Sequence, residues 1–214
     1  MIKIILASHN VSKLAEFRSL ARGYPVNILG LQDICFQQDI EETGRTFDEN
    51  ALIKAQAVHR VVNDVVMADD SGLCVDVLDG APGIMSARYG GLGKGDDDKN
   101  AQLLATLEQL GDVDRAASFH CSLAVMFPDG SREIFHGTCC GTIASEPRGT
   151  NGFGYDPVFI PKGEERTLAE MSEEEKHALS HRGEAVRAFL SSFCSDAADD
   201  EGSRTFERSG PSHK

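Results

Sequence analysis

Residues 69–73 read Asp69-Asp70-Ser71-Gly72-Leu73 and follow directly on the apolar run Val65-Val66-Met67-Ala68. Paired carboxylates at the end of a buried strand can hold a hard, compact cation such as Mg²⁺ through oxygen ligands and bridge it to phosphates. A carboxylate there can also orient or deprotonate a water for attack on phosphorus. Two turn-forming aspartates would give the same local pattern, so the pair alone leaves both readings open.

Four further clusters carry residue types that such chemistry needs. Ser8, His9, Asn10, Val11, Ser12 and Lys13 join a first strand to a first helix, where outward N–H groups, the helix dipole and the lysine suit a phosphate. Glu41 and Glu42 precede Thr43-Gly44, with Lys54 in the helix that follows. Phe153-Gly154-Tyr155-Asp156 offers an aromatic ring to stack on a base and a carboxylate to accept from ring N–H groups, with glycine permitting close backbone approach. Lys176 and Ser180-His181-Arg182 supply charge and directional donors for a phosphate or a base carbonyl. Taken singly, each also reads as a capped helix, a solvated acidic turn, a Gly-rich turn or a solvated helix entry.

The elements that must position these clusters follow from periodicity. Residues 2–7 form an Ile-rich run suited to a doubly buried strand, and Leu14, Phe17, Leu20 and Ala21 recur at helical spacing behind Asn10 or Ser12 as cap. A short strand is expected over 26–29, and a helix through Phe47, Ala51, Ala55, Val58 and Val62, with Thr46 and Glu49 as a capping box. Residues 64–68 read as a strand that delivers Asp69 and Asp70 into a turn. Residues 80–99 hold glycines and aspartates and predict an irregular exposed loop, followed by a helix through Leu103, Leu104, Leu107 and Leu110. Alternation around Phe119–Phe127 and a Pro128-Asp129-Gly130 turn predict a β-hairpin, residues 158–160 a short strand, and Val186, Phe189, Leu190 and Phe193 a last helix. The fold class is α/β, with a mixed central sheet flanked by helices and a long hairpin. Residues 1–194 form one domain, and 195–214 an acidic tail too poor in apolar residues to pack.

Of the 214 residues 41% are hydrophobic and 26% charged, as expected for a folded soluble chain. The net charge of −13 argues against nucleic-acid or anionic-membrane partners, which meet basic surfaces, but leaves room for a small phosphorylated ligand at a local cluster of cations. No apolar run approaches the roughly 20 residues of a membrane span. The six cysteines lack metal-ligand spacing, which fits reduced thiols in the cytoplasm.

Taken in order, SHNVSKLAEF, EETGRTFDENALIKA, ADDSGLCVDVLDGAPGIMSARYGG, GTNGFGYDPVF and MSEEEKHALSHRGEA resemble the signature segments of the inosine triphosphate pyrophosphatase family. The resemblance covers residues 1 to about 193. It implies a mixed α/β fold, a homodimer, a Mg²⁺ requirement, and cleavage of non-standard purine triphosphates (ITP, dITP, XTP) between the α and β phosphates. Residue by residue, it implies phosphate contacts along Ser8–Lys13, metal ligation by Glu41 and Asp70, proton acceptance by Asp70 and a substrate contact at Ser71. The base and the rest of the nucleotide would fall to Phe153, Gly154, Tyr155, Asp156, Lys176, His181 and Arg182. Where the family usually reads Thr-Gly-Asn this chain has Ser8-His9-Asn10, and a histidine in place of glycine narrows the backbone conformations open to that turn.

On this reading Asp70 activates water with Asp69 in support, and Lys13, with Lys54 or Lys176, stabilises the departing pyrophosphate. Donors from His181 and Arg182 would select a carbonyl at the purine 6-position. A pyrophosphatase for modified pyrimidine nucleotides and a nucleotide-binding regulator without turnover are the rival classes.

Overall fold

The computed structural model describes residues 1–91 and 95–203, with side chains as far as Cys194. Strand β1 (Ile2–Leu6) lies between β2 (Val26–Gly30) and β3 (Val65–Val75) and runs parallel to both. Antiparallel pairing then continues from β3 to β4 (Ala116–Met126), β5 (Arg132–Ile143) and β6 (Phe159–Pro161), giving one mixed sheet in the order β2-β1-β3-β4-β5-β6. The mixed α/β class and the hairpin are as expected from the sequence.

Helices cover both faces. α1 (Val11–Leu20) and α5 (His181–Ser203) pack on one, around Phe17, Leu123, Val186 and Phe189, while α2 (Phe47–His59) covers the other through Ala51, Ala55 and Val58. A third core, around Leu73, Leu103, Phe119 and Phe159, lies under α3 (Asp96–Gln109). Fully burying one such phenylalanine or leucine contributes about 1.5–3 kcal/mol. The caps follow the sequence: Asn10 Oδ1 accepts from Lys13 N–H at 3.0 Å and Thr46 Oγ1 from Glu49 N–H at 3.1 Å. The Glu49 carboxylate accepts from Arg45 N–H at 2.6 Å, one residue outside the expected box.

Four elements differ from expectation. β3 does not turn after Ala68 but runs through both aspartates to Val75, because β4 supplies partners throughout, from Val66↔Met126 to Val75↔Ala117. On the other edge β1 pairs only as far as Leu6↔Met67. The aspartates therefore stand where β1 ends and β3 continues with β4 as its one neighbour, at the junction of the parallel and antiparallel halves.

The expected loop is shortened by α3, whose first turn is Asp96-Asp97-Asp98. Acids at a helix N-terminus are stabilised by the dipole, although in sequence they look like a loop. Residues 92–94 of that loop lie outside the described residues. Lys176 belongs to a separate helix, α4 (Glu173–Leu179), which Ser180 breaks before its hydroxyl accepts from Gly183 N–H at 3.0 Å to cap α5. Helix α5 continues to Ser203, past the expected start of the tail, and residues 204–214 lie outside the described residues.

Gly137 on β5 sets the seat of α5. A Cβ there would lie 2.0 Å from His181 O and 2.8 Å from Ala185 N. Gly137→Ala must push the helix start off the sheet, so urea unfolding should show a loss of about 1–3 kcal/mol, together with reduced activity.

Candidate active site

Where β1 stops, a cleft of about 850 Å³ opens over the end of the sheet, within the size range of small-molecule sites. Six of the chain's 21 lysines and arginines line it: Lys13, Lys54, Arg88, Lys99, Lys176 and Arg182. Asp39, Glu42, Asp70, Asp96 and Asp156 line it too, so in a chain of net charge −13 this cleft sets cations beside carboxylates, as a site for a small phosphorylated ligand with a metal would.

Asp69 and Asp70 point to opposite faces of β3, and their partners differ accordingly. Asp69 is buried beneath the cleft. Its Oδ2 receives Lys13 Nζ at 3.0 Å, Arg182 Nη2 at 3.0 Å and the Ser71 hydroxyl at 3.0 Å. Burial alone would raise its pKa, but the Lys13, Arg182 and Lys54 cations outweigh that and hold the carboxyl well below the usual range.

Asp70 faces α2. Its Oδ1 receives Lys54 Nζ at 2.8 Å and its Oδ2 the Asn50 amide at 3.2 Å. Here burial prevails over the Lys54 charge and Asp70 is raised above the ordinary carboxylate value. Burial opposes the charge of Lys54 too, yet the surrounding carboxylates, led by Asp70, raise its pKa.

The structure places the two acids ahead of α2 differently. Glu41 is exposed and outside the lining, whereas Glu42 lines the cleft, accepting from Lys54 Nζ and from Arg88 Nη2 at 2.9 Å each. Both acids lie between elements, where no periodicity says which of two neighbours faces inward. Among the described residues no group of three or more His, Cys, Asp or Glu side chains forms a metal cage. Two convergent carboxylates nevertheless suit Mg²⁺, which is held by one or two protein carboxylates together with phosphates and waters.

At the α1 end, Ser8, His9, Asn10, Ser12 and Lys13 line the cleft, while Val11 does not and is 69% exposed. The backbone of His9 is not left-handed, and its Nε2 donates to Gln38 O at 3.2 Å, so the histidine costs no strain in this turn.

At the opposite end Phe153, Gly154, Tyr155, Asp156, Lys176, His181 and Arg182 line the cleft together. Lys176 Nζ lies 2.5 Å from Asp156 Oδ2 and 4.9 Å from the Phe153 ring centroid. Gly152, at φ +74°, makes that pair possible, since a Cβ would sit 2.0 Å from Asp156 Oδ2. Burial raises the Asp156 pKa against the pull of Lys176. His181 stacks on Phe119 at 4.7 Å and 7°, and its buried Nδ1 has no hydrogen-bond partner. Burial, reinforced by Arg182 and Lys176, drives its pKa well below 6.5, so the imidazole is neutral at pH 7.

Arg182 is placed differently from the expected base donor. Its Nε and Nη2 bind Asp69, Nη2 also reaches Ser71 Oγ at 2.8 Å, and Nη1 binds Glu16 Oε2 at 2.8 Å. Its donors are largely committed to holding α1, β3 and α5 together. Glu16, buried at 7%, gave no signal in the sequence beyond being an acid on the helix face that carries Phe17. The sequence reading also missed Asn50, Ser86, Arg88, Asp96, Lys99 and Phe119, and it named Glu42 only as the neighbour of Glu41. Ser86 fastens the far wall, donating to Gly83 O and accepting from Leu73 N–H through its hydroxyl, while its carbonyl accepts from Tyr155 at 3.0 Å.

An anion-binding helix start, two carboxylates facing lysines and an aromatic compartment with neutral and cationic donors make this a nucleotide phosphohydrolase site on an α/β sheet. Residues 4–192 match the model of the Ham1 family, and the chain belongs to that family. It is 47% identical over 193 residues to the dITP/XTP pyrophosphatase of Streptomyces coelicolor, covering 89% of this chain and 96% of that one. With the dITP/XTP pyrophosphatase of Bacillus subtilis it shares 46% over 189 residues, 87% of this chain and 94% of that one. The HAM1 protein of Coxiella burnetii superposes with a TM-score of 0.82 at 43% identity, over 91% of this chain and 100% of that one. A nucleoside-triphosphatase/dITP/XTP pyrophosphatase of Mycobacterium abscessus gives 0.70 at 44%, over 88% and 99%.

Because His181 is held neutral in the fold, the unfolded chain takes up a proton there below about pH 6.5 and the folded chain does not. The stability it contributes is complete above that pH and is lost as pH falls. Urea unfolding between pH 7 and pH 5 should therefore show a steeper loss for the wild type than for His181→Phe, by up to about 1.4 kcal/mol per pH unit.

Proposed function

We propose that this protein hydrolyses non-standard purine nucleoside triphosphates, ITP, dITP and XTP, to the monophosphate and pyrophosphate. The observation that carries this reading is Asp70, a carboxylate raised by burial and aimed by Lys54 and Asn50 into the cleft between the α1 start and the Phe153 compartment. In that geometry the triphosphate lies along Ser8–Lys13 and the base against Phe153.

Asp70 accepts a proton from a water whose oxygen attacks the α-phosphorus in line; the bond to the α–β bridging oxygen breaks and pyrophosphate departs. Lys54 and Lys13 compensate the charge gathering on that pyrophosphate. Asp70 and Glu42 are the residues that would hold Mg²⁺, which when bound would supply charge neutralisation and phosphate orientation. Asp69, fully ion-paired below the cleft, fixes Lys13 and Arg182 rather than sharing the proton transfer.

Specificity rests on the 6-position. His181 and Lys176 present donors there, while Arg182 is spent on Asp69, Glu16 and Ser71. A 6-carbonyl matches a donor, whereas the adenine 6-amino group leaves donors facing donors, at a cost of about 1–3 kcal/mol per unpaired buried group. By family resemblance the enzyme is a cytoplasmic homodimer; among the described residues no helix is long and apolar enough to cross a membrane.

The test is release of pyrophosphate from ITP, XTP, dITP, GTP and ATP, with and without Mg²⁺. Mg²⁺-dependent release from the first three, with ATP little used, is expected, and orthophosphate as the product or equal use of ATP sinks the reading. Asp70→Asn should lower kcat by about 10²–10⁴-fold with an unchanged circular-dichroism spectrum, and near-normal turnover would remove Asp70 from its role. Glu42→Gln should cost roughly 10–100-fold and shift the Mg²⁺ dependence, with Glu41→Gln within about two-fold of wild type. The reverse order would restore Glu41 as the ligand.

A further inference from the structure

Phe153 is held in an unusual way. It stands between Gly152 at φ +74° and Gly154 at φ +67°, both in the left-handed region where glycine is most at ease. Packing does not hold Gly154, since a Cβ added to it would meet nothing within 4 Å. Beside Gly152 the Asp156 carboxylate closes the space, but beside Gly154 it is open, so polar contacts must fix that peptide.

The ties come from the first turns of α3. Gly154 N–H donates to Asp96 Oδ2 at 2.7 Å, and Gly154 O accepts from Asn100 Nδ2 at 3.0 Å, so both polar groups of this one residue are gripped by side chains four residues apart on one helix face. Asn100 is 2% exposed, and Lys99 Nζ steadies Asp96 Oδ1 at 2.6 Å. On the other side of the hinge, Phe153 N–H donates to Asp156 Oδ2, which also receives Lys176. Removing the grip on Gly154 would free the Phe153 ring and loosen Asp156 together.

We propose that Asp96 and Asn100 are positioning residues for base recognition, clamping the Gly154 peptide so that Phe153 and Asp156 meet the purine in one preset geometry. The inference rests on the nucleotide reading of the cleft. Preset geometry lowers the ordering cost of binding, so loss of the clamp raises KM and leaves the phosphate chemistry alone.

The experiment compares Asp96→Ala, Asn100→Ala and Asp96→Asn in steady-state pyrophosphate release from ITP, with inorganic tripolyphosphate, which has no base, as a competing inhibitor. Asp96→Ala and Asn100→Ala should raise KM for ITP by roughly five- to ten-fold, with kcat and tripolyphosphate inhibition each within about two-fold of wild type. Asp96→Asn keeps an oxygen for Gly154 N–H but releases Lys99, and should restore KM to near the wild-type value. An unchanged KM in Asp96→Ala overturns the clamp. So does tripolyphosphate inhibition that shifts in step with KM, or an Asp96→Asn variant as impaired as the alanine. If Asn100→Ala fails to fold, the half-exposed Asp96 decides alone. A wild type inert toward every purine triphosphate would sink the parent reading and the clamp with it, whereas normal wild-type turnover with unshifted variants sinks the clamp only.

Discussion

Beneath the cleft the Arg182 guanidinium, 3% exposed, joins three segments far apart in the chain: Glu16 on α1, Asp69 and Ser71 on β3, and its own helix α5. A buried cation persists only where carboxylates and hydrogen bonds surround it, and a carboxylate such as Asp69 at 0% side-chain exposure needs cations in return. Satisfying both requires the start of α1, the open stretch of β3 and the start of α5 to converge at one place. That convergence forms the floor of the cleft, and it brings Lys13, Ser71 and His181 to its surface.

Two adjacent residues of one type acquire opposite characters because a strand turns its side chains to alternate faces. Asp69 meets Lys13 and Arg182 and is locked in its ionised form; Asp70 meets Lys54 and Asn50 at the base of α2, where burial counts for more than the cation. The first is a fixed charge that holds cations in place, and the second is a carboxylate that burial raises. Antiparallel pairing with β4 through Val75 keeps β3 extended across both aspartates, which is what sends them to opposite faces.

The far wall follows another economy. His181 is stacked and neutral, Arg182 is committed to the floor, and Lys176 is paired with Asp156, so few donors there remain to meet a ligand. On the proposed reading, selectivity for a carbonyl over an amino group depends on a small number of well-held groups, and that makes the hold on Phe153 and Asp156 consequential.

Much of this was legible in the chain itself. Ile-rich and alternating runs marked the strands, apolar spacing and the Asn10 and Thr46 caps marked α1 and α2, and the order of five polar segments marked the site, because periodicity and capping are local properties. What tertiary structure decided were choices between neighbours and between partners. Glu42 rather than Glu41 lines the cleft, Asp69 is ion-paired beneath it while Asp70 faces α2, and Asp96 opens a helix where the composition suggested a loop. Arg182 binds Asp69 across 113 positions of sequence and Glu16 across 166. Each depends on the register of β3 against β4, on the end of β1, or on the seating of α5 over Gly137, and such long-range contacts leave no periodic trace in the residues around them.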